Sequence, residues 1–193
     1  MSHYYDEHQD ADSEPKEILV QLSNDTFFVE TDNGLFTKAH LDTATELLIE
    51  TTTPQESVLD LGCGYGVVGI AYLRQNPDLE AMFVDTNKRA IRYTQKNLQR
   101  NTVSGTVRQS DAYDNVDTSF TDIVSNPPLA AGKNTWHEFI TQAPDHLTDQ
   151  GRLSLVARHN KGGKSVKKKM KEVFGNVKEL DKASGFRVYQ SHR

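Results

Sequence analysis

The sequence predicts an α/β domain: a doubly wound, mostly parallel, seven-stranded sheet that ends in a C-terminal antiparallel hairpin. Three observations carry this prediction. From residue 57 onward, apolar runs of strand length alternate with helical stretches, the pattern of consecutive βαβ units. Helical stretches of this length between the strands mean a mostly parallel sheet covered by helices on both faces. The last two strand candidates are joined by a link too short for a parallel crossover, so they must run antiparallel. At 193 residues the chain fits one domain, which buries roughly 70% of the surface that its unfolded form exposes.

Residues 1–14 carry high charge and almost no aliphatic content, and are expected to form a mobile acidic arm ahead of a single domain over 15–193. Residues 15–40 read as a hairpin extension. Apolar runs begin at Ile18 and at Thr26, and Asn33-Gly34 precedes Leu35-Phe36-Thr37, so the Asn-Gly pair is expected to turn a hairpin. Asp42 caps a helix whose apolar face is Ala44, Leu47 and Leu48, and the helix stops over Thr51 to Pro54. Strands are expected at 57–61, 80–85, 105–109, 120–125, 152–157, 176–181 and 185–190. The helices between them are expected at 66–75, 87–101, 134–147 and 164–174.

Composition excludes several classes of function. The lone Cys63 rules out an internal disulfide framework and a cysteine-based zinc site, and points to a reducing, cytoplasmic setting with no structural metal. No apolar run approaches the 18 or so residues of a membrane span, and no basic start leads into an apolar stretch, so neither a membrane partner nor a signal peptide is expected. The sequence carries no signature of an oligomeric state. Net charge is −5, but residues 1–32 hold nine acids and one lysine, while residues 158–171 hold Arg158, Lys161, Lys164, Lys167, Lys168, Lys169 and Lys171 with no acid. A local basic patch on an acidic protein suits phosphate contacts.

The chemistry gathers where strands end. In an open parallel sheet, ligands lie beyond the carboxyl ends of the strands, near the point where strand order reverses. Four successive ends carry Asp60 with Gly62, Gly64 and Gly66; Asp85; Asp111 with Ala112; and Asn126-Pro127-Pro128-Leu129. Three glycines at alternate positions exceed what an ordinary turn needs. Gly64 to Gly69 also matches Gly-x-Gly-x-x-Gly with Asp85 beyond it, so a dinucleotide such as NAD is a rival ligand. Asp60 argues against it: a carboxylate in that turn repels a pyrophosphate and suits a ligand that carries an ammonium.

Taken in order, these four motifs resemble a class I S-adenosylmethionine-dependent methyltransferase, over residues from about 34 to the end. The resemblance implies a Rossmann-like fold in which Asp60, Gly62, Gly64 and Gly66 hold the methionyl end of the cofactor. It further implies that Asp85 holds the ribose, that Asp111 with Ala112 meets the adenine, and that Asn126, Pro127, Pro128 and Leu129 form the catalytic loop. Asn-Pro-Pro-Leu followed by Ala130-Ala131-Gly132-Lys133, with Gly34-Leu35-Phe36-Thr37 and Leu41-Asp42 upstream, resembles the small methyltransferase-domain family. That family includes small-subunit ribosomal RNA guanine-N2 methyltransferases, and the resemblance extends to compact archaeal members of similar length.

Methyl transfer is a direct displacement that needs alignment above all, and proximity alone can supply on the order of 7 to 11 kcal/mol. Asn126 offers a side-chain oxygen and Pro127 a backbone carbonyl, two acceptors that can turn an exocyclic amine toward a reactive geometry. The two prolines stiffen the loop that carries them. The expected reaction is therefore methylation of an exocyclic amino nitrogen, with guanine N2 of ribosomal RNA as acceptor. Leu129 stands where relatives that act on adenine or glutamine place an aromatic, so any stacking must come from Phe36, Trp136 or Tyr113. Lys133, Arg158, Lys161 and Lys164 are expected to contact RNA phosphates. Two alternatives stay open: N5-methylation of a protein glutamine, and a non-catalytic module that binds RNA or protein through the same fold.

Overall fold

The structure is a computed structural model and describes residues 13–33, 35, 40–127, 129 and 133–193, the side chains of Lys133 and Asn134 excepted. Strands β1 (Lys16–Gln21) and β2 (Thr26–Thr31) pair antiparallel as a small separate sheet. Helix α1 (Thr43–Thr51) leads into β3 (Ser57–Leu61), α2 (Val67–Gln75), β4 (Glu80–Asp85), α3 (Lys88–Arg100), β5 (Thr106–Gln109) and β6 (Phe120–Ser125). Then come α4 (Lys133–Thr141), a 3₁₀ turn, β7 (Leu147–Arg158), α5 (Lys164–Phe174), β8 (Lys178–Ala183) and β9 (Phe186–His192). The main sheet has seven strands in the order β5-β4-β3-β6-β7-β9-β8. Strands β3 to β7 run parallel, while β9 is antiparallel to both β7 and β8, as the short link at Ser184-Gly185 requires.

Side chains alternate across the sheet into two cores. Val58, Phe83, Val124, Val156 and Val188 pack on one face with α1, α2, α3 and the inward residues Ile18, Val20, Phe27 and Val29 of the hairpin. Leu59, Leu61, Val84, Ile123, Leu153 and Leu155 pack on the other face with Trp136, Phe139 and Ile140 of α4 and Val166 and Met170 of α5. The sheet is thus covered on both faces, as expected for parallel strands. The order of strands reverses between β3 and β6, so the main-chain crevice opens beside Asp60 and Asn126.

Several element boundaries differ from the expected ones. The β1–β2 hairpin turns at Leu22–Asp25, where the Leu22 N–H donates to the Asp25 carbonyl at 2.9 Å; at the expected Asn-Gly turn the Leu35 N–H donates to the Asp32 carbonyl at 3.0 Å, and Gly34 and residues 36–39, the strand expected to return from it, lie outside the described residues. Strand β2 has already ended at Thr31, because buried Asp32 accepts from Ser13 Oγ, the Glu14 N–H and the Asn33 N–H at 2.6 to 2.8 Å. Ser13 and Glu14, at the close of the expected arm, are thereby tied to the domain; residues 1–12 and Phe36 lie outside the described residues. The helix expected over 134–147 stops at Thr141, since Pro144 in the following turn cannot donate to a helical ladder. Strand β7 consequently starts at Leu147.

Candidate functional site

A cleft of about 560 Å³ opens along the carboxyl edge of the parallel strands, within the size range of small-ligand sites. Asp60, Gly62, Gly64, Asp85, Asp111, Ala112, Asn126, Pro127, Leu129, Arg158 and Lys161 all line it. The glycine turn is held by β4: the Gly62 and Cys63 N–H groups both donate to the Val84 carbonyl at 2.9 Å, and the Gly64 N–H donates to Asp85 Oδ2 at 2.9 Å. Gly62, Gly64 and Gly66 adopt φ of 72°, 59° and 83°, a left-handed region that a side chain strains. Gly66 itself does not line the cleft. A Cβ there would lie 2.8 Å from Thr94 Cγ2, so packing as well as the positive φ requires glycine. Gly69 is explained the same way, with a Cβ position 2.3 Å from Phe83 Cε1. The dinucleotide-like spacing thus reports how tightly α2 packs on β4.

Asp60 is buried, and one oxygen accepts the Gly69 N–H at 3.0 Å. Burial pushes its pKa from 3.8 up to about 7; the Gly69 hydrogen bond opposes this and the nearby Asp85 charge adds to it. Because the folded pKa lies above the unfolded one, the group stabilises the fold fully below its unfolded pKa, and this contribution is lost as pH rises from about 3.8 to about 7. Asp60→Asn, which keeps an acceptor for Gly69, is expected to flatten the pH dependence of the melting temperature across that window when compared with the parent protein. Unchanged slopes between the two proteins would contradict the buried, proton-binding state of Asp60.

Opposite the turn, Ser125 Oγ donates to the Leu61 carbonyl at 2.6 Å and binds the end of β6 to the end of β3. Asn126 Nδ2 donates to Thr45 Oγ1 at 3.1 Å, and Thr45 Oγ1 donates to Asp42 Oδ2 at 2.6 Å. Thr45 and Asp42 also line the cleft. Asp42, expected as a helix cap, is one, accepting from the Ala44 and Thr45 N–H groups. The Pro127 carbonyl accepts the Leu129 N–H at 2.8 Å, so one of its lone pairs is spent within the loop, and no other donor among the described residues takes the second. Pro128 lies outside the described residues.

The aromatic candidates fall differently from expectation. Trp136 and Tyr113 are buried in the core on the α4 side, and neither lines the cleft; the Tyr113 hydroxyl donates to the Phe139 carbonyl at 2.8 Å and its ring stacks on His146. Phe186, which the sequence reading did not single out, does line the cleft, and the Arg158 guanidinium lies 5.5 Å from its ring centroid. The register that sets Arg158 of β7 opposite Phe186 of β9 brings the two together. Lys164, at the start of α5, is exposed and does not line the cleft. Lys133 opens α4. The rest of the basic run looks outward, Lys167 toward Glu179 and Lys168 toward Glu172.

The carboxyl-edge cleft, with a glycine turn on one bank and Asn-Pro on the other, agrees with a family match: residues 26–190 fit the methyltransferase small domain. The chain belongs to that family. It is 30% identical to the uncharacterised protein YbxB of Bacillus subtilis over 99% of this chain and 98% of that protein. It is 33% identical to ribosomal RNA small subunit methyltransferase C of Aliivibrio fischeri, over 92% of this chain and 53% of that enzyme. Among solved structures, the T. thermophilus 16S rRNA N2 G1207 methyltransferase RsmC, in complex with AdoMet and guanosine, superposes with a TM-score of 0.82 at 22% identity. That superposition covers 93% of this chain and 50% of RsmC. The chain therefore spans about half the length of these RNA methyltransferases and nearly all of YbxB. In this methyltransferase small domain, no described helix is long and apolar enough to cross a membrane, and no cluster of three or more metal-ligating side chains occurs among the described residues.

Proposed function

We propose that this protein is an S-adenosylmethionine-dependent methyltransferase acting on an exocyclic amino nitrogen, guanine N2 of ribosomal RNA, in the cytoplasm. One observation carries the reading: a single cleft brings Asp60, Asp85 and Asp111 together with Asn126, cofactor-type acids on one bank and an amine-type acceptor on the other. The residues fit the cofactor. Asp60 and the turn at Gly62 and Gly64 would take its charged methionyl end, Asp85 its ribose, and Asp111 with Ala112 its adenine. The cofactor supplies an electrophilic methyl carbon on a sulfonium. Asn126 and the remaining lone pair of Pro127 orient the acceptor amine by accepting its N–H groups, and Leu129 closes the loop against Gly162. The names of the RNA methyltransferases with which the chain shares its family support the choice of acceptor.

Arg158 and Lys161, at the cleft mouth, would meet the phosphates that flank the target base. Such contacts release counterions and make binding steeply salt-dependent. Arg158→Ala with Lys161→Ala is expected to reduce the slope of log affinity against log salt for RNA by about 2, with cofactor affinity unchanged. A slope equal to the parent's would remove both from the interface. Calorimetry with S-adenosylmethionine and with NAD tests the cofactor: binding of the first alone is expected, and binding of NAD alone would overturn the reading.

A further inference from the structure

We infer that Thr45, oriented by Asp42, is a positioning residue that sets which way round the Asn126 amide stands. The acceptor role proposed for Asn126 needs its oxygen, not its nitrogen, to face the acceptor amine. An amide side chain has nearly the same shape in either orientation, so shape alone does not choose. Hydrogen-bond sense does.

The choice is made 81 residues upstream in the chain. A threonine hydroxyl has one hydrogen to give. Thr45 gives it to Asp42 Oδ2 at 2.6 Å, while Asp42 Oδ1 takes the Ala44 and Thr45 N–H groups at 3.0 and 3.2 Å. Asp42 thus acts only as an acceptor, and the Thr45 oxygen is left to accept. The group facing it must be a donor, and Asn126 Nδ2 occupies that place at 3.1 Å. Rotating the amide would set its oxygen against the Thr45 oxygen with no hydrogen between them, and would aim an N–H at the incoming N–H of the substrate. Thr45 is buried on α1, and Ser125, the residue before Asn126, is anchored to the Leu61 carbonyl, so neither partner has room to drift. The carboxylate thereby polarises a two-step relay whose output is an acceptor oxygen facing the cleft.

The catalytic consequence rests on the proposed methyl transfer; the geometry does not. Thr45→Val keeps the shape and removes the hydroxyl. It is expected to lower kcat about 10- to 100-fold, the cost of one misaligned polar contact, with the dissociation constant for S-adenosylmethionine unchanged within about twofold. Thr45→Ser restores most of the rate, and Asp42→Asn, which still caps α1, behaves like Thr45→Val because its amide no longer dictates the sense of the hydroxyl. The independent readout is the side-chain amide resonance pair of Asn126, assigned by its loss in Asn126→Asp. It is expected to shift in Thr45→Val and to return in Thr45→Ser. If the parent protein transfers methyl groups and Thr45→Val does so equally fast, the relay is wrong. If the parent transfers none, the functional reading fails, and the resonances alone decide the relay: an unmoved pair in Thr45→Val overturns it.

Discussion

Asn126→Ala is expected to lower methyl transfer by about 10²- to 10³-fold, the scale of deleting one preorganised polar group at a reacting centre, while leaving the dissociation constant for S-adenosylmethionine nearly unchanged. The two effects separate because Asn126 stands on the β6 side of the crevice, across from the glycine turn and the carboxylates of β3 and β4. Among the described residues its side chain makes one hydrogen bond, to Thr45, and the loop is anchored separately through Ser125. Single-turnover rates and calorimetry on the same preparation check the split. Equal loss of rate and of cofactor affinity would make the loop a structural element and not an acceptor-orienting one.

Gly69→Ala is expected to act on the other bank, through the fold. The added Cβ would lie 2.3 and 2.6 Å from Cε1 and Cζ of Phe83, a fully buried ring in β4, and neither atom belongs to a flexible chain end. Helix α2 must move off the sheet. Overpacking of this kind costs about 1–3 kcal/mol, which lowers the melting temperature of a domain this size by about 2–12 °C. Because the Gly69 N–H also holds Asp60, cofactor affinity is expected to fall with stability. Scanning calorimetry with and without S-adenosylmethionine checks both; a melting temperature equal to the parent's would show that the α2–β4 contact has slack.

The parts of this molecule that the sequence announces are those where a residue type has a single structural reason. Asp60, Asp85 and Asn126 each follow an apolar run, and a polar group at such a boundary can only lie at a strand's carboxyl end. The glycines at alternate positions are needed for three left-handed residues in five. Asp32 illustrates the opposite case. Beside Asn33-Gly34 it reads as turn chemistry, yet it is buried and accepts hydrogen bonds from Ser13 and from Glu14, partners 19 and 18 residues away. The β1–β2 hairpin turns at Leu22–Asp25, where the bidentate Arg74–Asp25 pair, at 2.6 and 2.8 Å, fastens the turn to α2.

Long-range pairing also hid half of the candidate site. Asp42 and Thr45 look like an ordinary helix start, and only the packing of α1 on β7, β8 and β9 brings Thr45 against Asn126. Phe186 follows a glycine in a hairpin and carries no local signal; register with Arg158 places it on the cleft. Trp136 and Tyr113 were candidates by residue type alone, and burial behind α4 removes them.

The central claim is that this cleft moves a methyl group from S-adenosylmethionine to an exocyclic amine of RNA. It is tested most directly by incubating the protein with tritiated-methyl S-adenosylmethionine and, separately, total RNA and total protein from cells that lack its gene. The expected result is label in ribosomal RNA that digests to N2-methylguanosine, and label reduced by about 10²- to 10³-fold with Asn126→Ala. Label in protein as N5-methylglutamine, or none in either fraction despite cofactor binding, would contradict it.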